Sequence, residues 1–155
     1  MNQVVILAGG HGNRMKAEIP KPMLKVLDVP MLGWVIRACE NADLSRICVV
    51  TGYKAQYVEI YLNNRYRTAL QQEQLGTGHA VMQAEKFMRE FEDGNTLVLC
   101  GDAPFMDAQT IREALALHEA SESAITVITA ELDAPKGYGR ILRTADGIAG
   151  IVEEK

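Results

Sequence analysis

The chain has too few cysteines for a disulfide framework. Cys39, Cys48 and Cys100 are odd in number and show no CxxC spacing. Cys48 and Cys100 sit in the apolar runs ICVV and LVLC, which predicts buried thiols in a reducing compartment. No run approaches the roughly 18 apolar residues that a membrane span needs. No basic region precedes a signal-type apolar stretch at the N-terminus, so a cytoplasmic protein without membrane contact is expected. Excess positive charge is also lacking. A net charge of −4 argues against nonspecific nucleic-acid binding. It leaves a nucleotide ligand open, because backbone amides hold phosphates against a mildly acidic background. No repeat, linker or low-complexity segment divides the sequence, so residues 1–155 are expected to form a single domain.

What is present is ordinary for a globular protein, 48% hydrophobic and 23% charged. Residues 4–8 (VVILA) are a β-branched run that ends in glycines, as in a strand buried on both faces. Residues 47–51, 96–100 and 124–129 repeat that pattern. Between them, residues 31–41, 56–62, 78–87 and 108–120 carry apolar positions three and four apart and read as helices, the last with Asp107 as its N-cap. Alternating strands and helices predict an α/β fold, a mostly parallel sheet with helices on both faces. At the end, residues 139–144 and 148–152 flank Asp146-Gly147 and read as a β-hairpin.

The first strand runs into Gly9, Gly10 and Gly12, where the backbone can turn sharply and approach a ligand. Their N–H groups can converge on an anion, and Leu7 and Ala8 lead into them as part of the same candidate nucleotide-binding run. A tight strand-to-helix turn explains the same glycines. A Rossmann fingerprint needs a third glycine where Met15 stands, and a Walker loop needs Gly-Lys-Ser/Thr, which is absent. Two cations follow instead: Arg14, a planar fork for phosphate, and Lys21, framed by Pro20 and Pro22. Proline stiffens the backbone around that lysine. Two cations after a glycine turn suggest a polyphosphate ligand.

With these residues in place, LAGGHGNRM (7–15) followed by PKP (20–22) resembles the LAxGxGTRM…PK signature of the sugar-1-phosphate nucleotidyltransferases. QQEQLGTGHA (71–80) is similar to a segment of the N-acetylglucosamine-1-phosphate uridylyltransferases within that family. The amide of Gln71 can donate to and accept from a uracil edge. Gly76 lets the backbone come close beside it, and Thr77 adds a hydroxyl. A loop and helix cap, with Thr77 capping and His79 exposed on the first turn, explains that segment equally. LVLCGDAPF (97–105) places Asp102 just past a strand's carboxyl end, where ligands bind in open α/β sheets and a carboxylate can hold Mg²⁺. A simple Gly-Asp turn is the alternative. GYGRI (137–141) and GIVE (150–153) match the family's sugar-side pattern, which implies sugar contacts through Gly139 and Glu153. Glu153 is equally readable as an exposed hairpin charge.

The resemblance covers essentially the whole chain, with four motifs in family order. It implies a Rossmann-like nucleotide-diphospho-sugar transferase fold, Mg²⁺ on Asp102, and UTP and a sugar-1-phosphate as substrates. Catalysis would rest on Arg14, Lys21 and Asp102. Departures are visible: Gly9 replaces the usual Ala, His11 a common Lys, and Asn13 the usual Thr. The family's catalytic domains also continue past GIVE, through one asparagine on the sugar and another that helps hold the metal. Stopping at 155 would leave a sheet edge open, and self-association would cover it. Two other readings stand beside this one. A relative could bind UTP or a sugar nucleotide with little turnover. A dinucleotide-dependent oxidoreductase would need an acidic residue at a strand end about 20 positions past the glycines, where Asp28 lies in a turn-like stretch instead.

Overall fold

A computed structural model describes residues 1–10, 18–121, 123–145 and 147–153. It resolves into two compact units, residues 1–122 and 123–155. In chain order, the first holds β1 (Gln3–Leu7), a 3-10 turn (Lys21–Met23), β2 (Lys25–Val26), β3 (Val29–Pro30), α1 (Met31–Asn41) and β4 (Ile47–Thr51). It continues with α2 (Ala55–Leu62), β5 (Arg67–Leu70), α3 (Thr77–Gln83), α4 (Glu85–Met88), β6 (Thr96–Cys100) and α5 (Ala108–Ser121). The second unit carries β7 (Arg140–Thr144) and β8 (Gly147–Val152), an antiparallel pair with a bulge between Leu142 and Arg143.

The four long-range strands form one parallel sheet in the order β5-β4-β1-β6. Counted along the sheet's own strands this is 3-2-1-4, the doubly wound order. The direction in which successive strands are added reverses between β1 and β6, which run parallel, and in open α/β sheets ligands bind outside the carboxyl ends of the strands at such a point.

Alternation along the strands divides the core into two layers. Val4, Ile6, Ile47, Val49 and Leu99 pack with Leu32, Val35, Ile36 and Cys39 of α1, Val58 and Leu62 of α2, and Ile111 of α5. On the opposite face Val5, Cys48 and Val50 meet Ala80, Ala84 and Phe87 from α3 and α4. Each fully buried aliphatic side chain contributes about 1.5–3 kcal/mol of transfer free energy. The strands they belong to are thereby pinned in register. Asp107 caps α5 as its position suggests: its Oδ1 accepts from the Thr110 amide at 2.7 Å. Leu27 and Asp28 both take positive φ in the two-residue β2–β3 turn, which removes Asp28 from any strand end.

Three expectations need correction. Residues 124–129 form no strand, although their composition is β-like; Ile125 is 79% exposed, and no described strand pairs with the run. Strand propensity is expressed only with a neighbour to complete the ladder. Residues 78–87 divide at Ala84 (φ −90°, ψ 8°), which brings Phe87 under the sheet. Cys100 is exposed rather than buried, whereas Cys39 and Cys48 are buried. β6 is an edge strand of the described sheet, and its residues on the face opposite Leu99, Val98 and Cys100, are left uncovered. Among the described residues no helix is long and apolar enough to cross a membrane.

Candidate functional site

Two strand ends frame the crevice. At the end of β1, the Leu7 carbonyl accepts from the Gly101 amide at 2.9 Å and the Ala8 amide donates to Val50 O at 2.8 Å. These groups are spent on holding β6 and β4 against β1. Gly9 turns away under close contact: a Cβ there would stand 3.1 Å from Thr51 O and 3.2 Å from Gln71 Oε1. Gly10 is exposed, and a Cβ there would meet no described atom within 4 Å. Gly12 and Arg14 lie outside the described residues.

Lys21 opens the 3-10 turn after Pro20, whose φ of −57° suits the ring, and buried Pro22 follows. Its backbone is fixed by Met23 N donating to Pro20 O and Leu24 N to Lys21 O, at 2.8 and 3.0 Å. From this rigid base Lys21 Nζ reaches Asp102 Oδ2 at 2.5 Å. Asp102 follows Gly101, where a Cβ would come within 3.0 Å of Leu7 O. The two charges, 81 residues apart, therefore meet at the carboxyl ends of β1 and β6. Both side chains are about one-third exposed, at 37% and 33%. A pair in that environment is worth no more than about 1 kcal/mol. Exchange for a phosphate or a cation costs the fold little.

The second wall comes from the segment after β5. Gln71 is 4% exposed, and its backbone N–H donates to Thr51 O at 2.8 Å. Its amide nitrogen donates to Gly76 O at 3.1 Å and lies 3.1 Å from His79 Nδ1. Gly76 has φ +102°, a conformation that glycine adopts without strain, and is the N-cap residue of α3. Thr77 is the first helical residue and exposed, so it does not cap the helix as the loop-and-cap reading has it. His79 is not simply exposed on that turn either; its ring is half-buried between Gln71 and Gln83.

Gly52 escaped the sequence reading. A Cβ there would fall 2.7 Å from Gly9 O, so the ends of β1 and β4 touch backbone to backbone. The signal was present in VVTGY, a buried strand run into glycine like that at residues 4–9. In the second unit, a Cβ at Gly139 would lie 3.5 Å from the Glu153 carboxylate, so the hairpin sets these two residues side by side. Among the described residues no group of three or more His, Cys, Asp or Glu is clustered for a metal. Asp102 fits Mg²⁺ in another way. Mg²⁺ takes one or two carboxylates and completes its shell with substrate phosphates and water. Asp102 offers one partly exposed carboxylate at the crevice.

Comparison with known proteins gives the family and the fold. Residues 4–145 match the MobA-like NTP transferase domain. The bifunctional protein GlmU of Pelotomaculum thermopropionicum is 44% identical over 152 residues, which cover 97% of this chain and 33% of that protein. The chain thus spans about a third of the length of the curated relatives it matches. HddC from Yersinia pseudotuberculosis, solved with GMP-PN, is 27% identical with a TM-score of 0.71, covering 99% of this chain and 70% of its own. A UDP-glucose pyrophosphorylase solved with UDP-glucose shares the fold with a TM-score of 0.73 at 18% identity, over 100% of this chain and 69% of its own.

Proposed function

Because the chain belongs to the MobA-like NTP transferase domain family, we propose that it carries the site for transferring a uridylyl group from UTP to N-acetylglucosamine-1-phosphate. The observation that carries this reading is the meeting of Lys21 and Asp102 at the switch point between β1 and β6. A partly exposed cation and carboxylate there, beside the open Gly10 turn, suit a triphosphate and its metal.

The reaction needs no general base. An oxygen of the sugar-1-phosphate, already anionic, forms a bond to the α-phosphorus of UTP as the bond to pyrophosphate breaks. Catalysis is then alignment and charge neutralisation. Lys21, released from Asp102, would steady the phosphates around the transferring phosphorus. Arg14, by its place in the motif, would hold the triphosphate and the leaving pyrophosphate. The backbone from Leu7 to Gly12 would line the nucleotide, with Leu7 and Ala8 fixing the turn. Gln71 and Gly76 would read the base, with Thr77 beside them, and Gly139 and Glu153 would take the sugar. Asp102 would hold Mg²⁺, which neutralises phosphate charge when bound. Three free thiols suit the reducing cytoplasm where such precursors, including those of cell walls, are made.

The test mixes this chain with UTP, N-acetylglucosamine-1-phosphate and Mg²⁺ and measures pyrophosphate. Release that depends on both substrates supports the reading. Nucleotide binding without release assigns a binding role instead, and no nucleotide binding refutes both.

A further inference from the structure

His79 lies between two amides. Gln71 Nε2 is 3.1 Å from its Nδ1, and Gln83 Nε2 is 3.2 Å from its Nε2 and donates to the His79 carbonyl at 3.1 Å. A neutral imidazole has one lone pair and one N–H, so it accepts from one amide only. Burial decides which. Gln71 is almost fully buried, and an amide hydrogen left without an acceptor there is costly; Gln83 is only half-buried on α3, so it can turn its amide oxygen to the ring N–H and give up its bond to the His79 carbonyl at a smaller cost. The lone pair therefore belongs at Nδ1.

We propose that His79 is a positioning residue that fixes the amide orientation of Gln71 and so sets which base the site takes. Both hydrogens of Gln71 Nε2 are then assigned, one to His79 Nδ1 and one to Gly76 O. The second bond is a donor facing an acceptor, 3.1 Å apart, at the wall of the crevice. A base edge with a carbonyl next to a ring N–H can insert there, accepting from Gln71 and donating to Gly76. Uracil and thymine present that edge. Cytosine presents the reverse, an amino donor next to a bare ring nitrogen. Were the Gln71 amide free to turn, its oxygen would oppose the uracil carbonyl and accept from the cytosine amino group, so the preference for uracil would narrow although Gly76 O still opposes the cytosine ring nitrogen. The role presupposes that Gln71 and Gly76 read the base, as proposed above.

The test compares wild type, His79→Ala, His79→Asn and His79→Gln in the full chain. The Asn amide oxygen falls near the place of Nδ1, whereas Gln carries its polar group past it. Binding of UTP and CTP is titrated, and exchange of the Gln71 side-chain amide is followed by NMR without nucleotide. His79→Ala is expected to lower the UTP-over-CTP preference about tenfold, one hydrogen bond's worth. It should also speed exchange of the Gln71 amide. His79→Asn should restore both and His79→Gln neither. An intact preference in His79→Ala, or His79→Asn no better than His79→Gln, overturns the role; the Asn–Gln contrast decides alone if the alanine variant does not fold. A wild type that binds UTP and CTP equally refutes base reading by Gln71. Amide exchange separately decides the clamp: slow in wild type and fast in His79→Ala supports it, and fast in wild type overturns it.

Discussion

Lys21 Nζ and Asp102 Oδ2 stand 2.5 Å apart, joining the proline-framed turn after β1 to the residue just beyond Gly101 and β6. Each charge holds the other in place at the carboxyl ends of β1 and β6. Because both are partly exposed, the pair adds little to stability, and its position matters more than its energy.

Lys21→Ala is therefore expected to split rate from stability. Unfolding free energy should fall by less than about 1 kcal/mol, while the rate of pyrophosphate release falls by about 100-fold or more. Denaturant unfolding and steady-state assays measure the two. Parallel losses in both would make Lys21 a structural residue.

Gly52→Ala tests the contact between the ends of β1 and β4. The new methyl would overlap Gly9 O at 2.7 Å and Gly9 Cα at 2.9 Å, and neither is a flexible side-chain end. A loss of about 1–3 kcal/mol is expected, as for overpacking elsewhere. Nucleotide affinity should fall with it because the Gly9 turn must move. Unchanged stability would mean that the two strand ends separate freely.

These two residues also mark what could be read from the sequence. β1 and β4 were legible because burial on both faces gives unbroken β-branched runs, and β6 because its run shares the pattern. β5, RTAL, was not: it is an edge strand with mostly exposed side chains and carries no alternation. Residues 124–129 show the converse, a strand-like run with no described partner. Lys21 and Asp102 could each be singled out by its frame, a pair of prolines or a strand end. Their contact could not, since it depends on the order of strands in the sheet. His79 was invisible as a site residue because a lone histidine gives no sign of what flanks its ring.

The thiols provide a check on the sheet's two layers. Burial, reinforced by Glu40, pushes the Cys39 thiol up to about 12, and burial pushes Cys48 up to about 11. Both are protonated and shielded at pH 8; partial burial and Asp102 raise the Cys100 thiol as well, but its residue is exposed to reagent. A thiol reagent should modify one cysteine in the native chain and three after denaturation. Three modified at once in the native chain would contradict the layer assignment.

Asp107 gives a pH signature. Its carboxyl lies below the usual range because the Thr110 backbone N–H bonds it at the start of α5. For a carboxylate whose folded pKa is depressed, the stabilisation is complete above the unfolded pKa and is lost as pH falls through the folded one. The melting temperature of Asp107→Ala should trail wild type by a constant margin at neutral pH. That margin should close in acid. A margin that is the same at all pH values would show that the cap acts without its charge.

The most direct measurement is a calorimetric titration of Mg²⁺-UTP into wild type and Lys21→Ala at matched salt. A triphosphate seated where Lys21 meets Asp102 predicts saturable one-to-one binding to wild type, about tenfold or more weaker in the variant. Equal affinity in the two, or no binding to wild type, would contradict it.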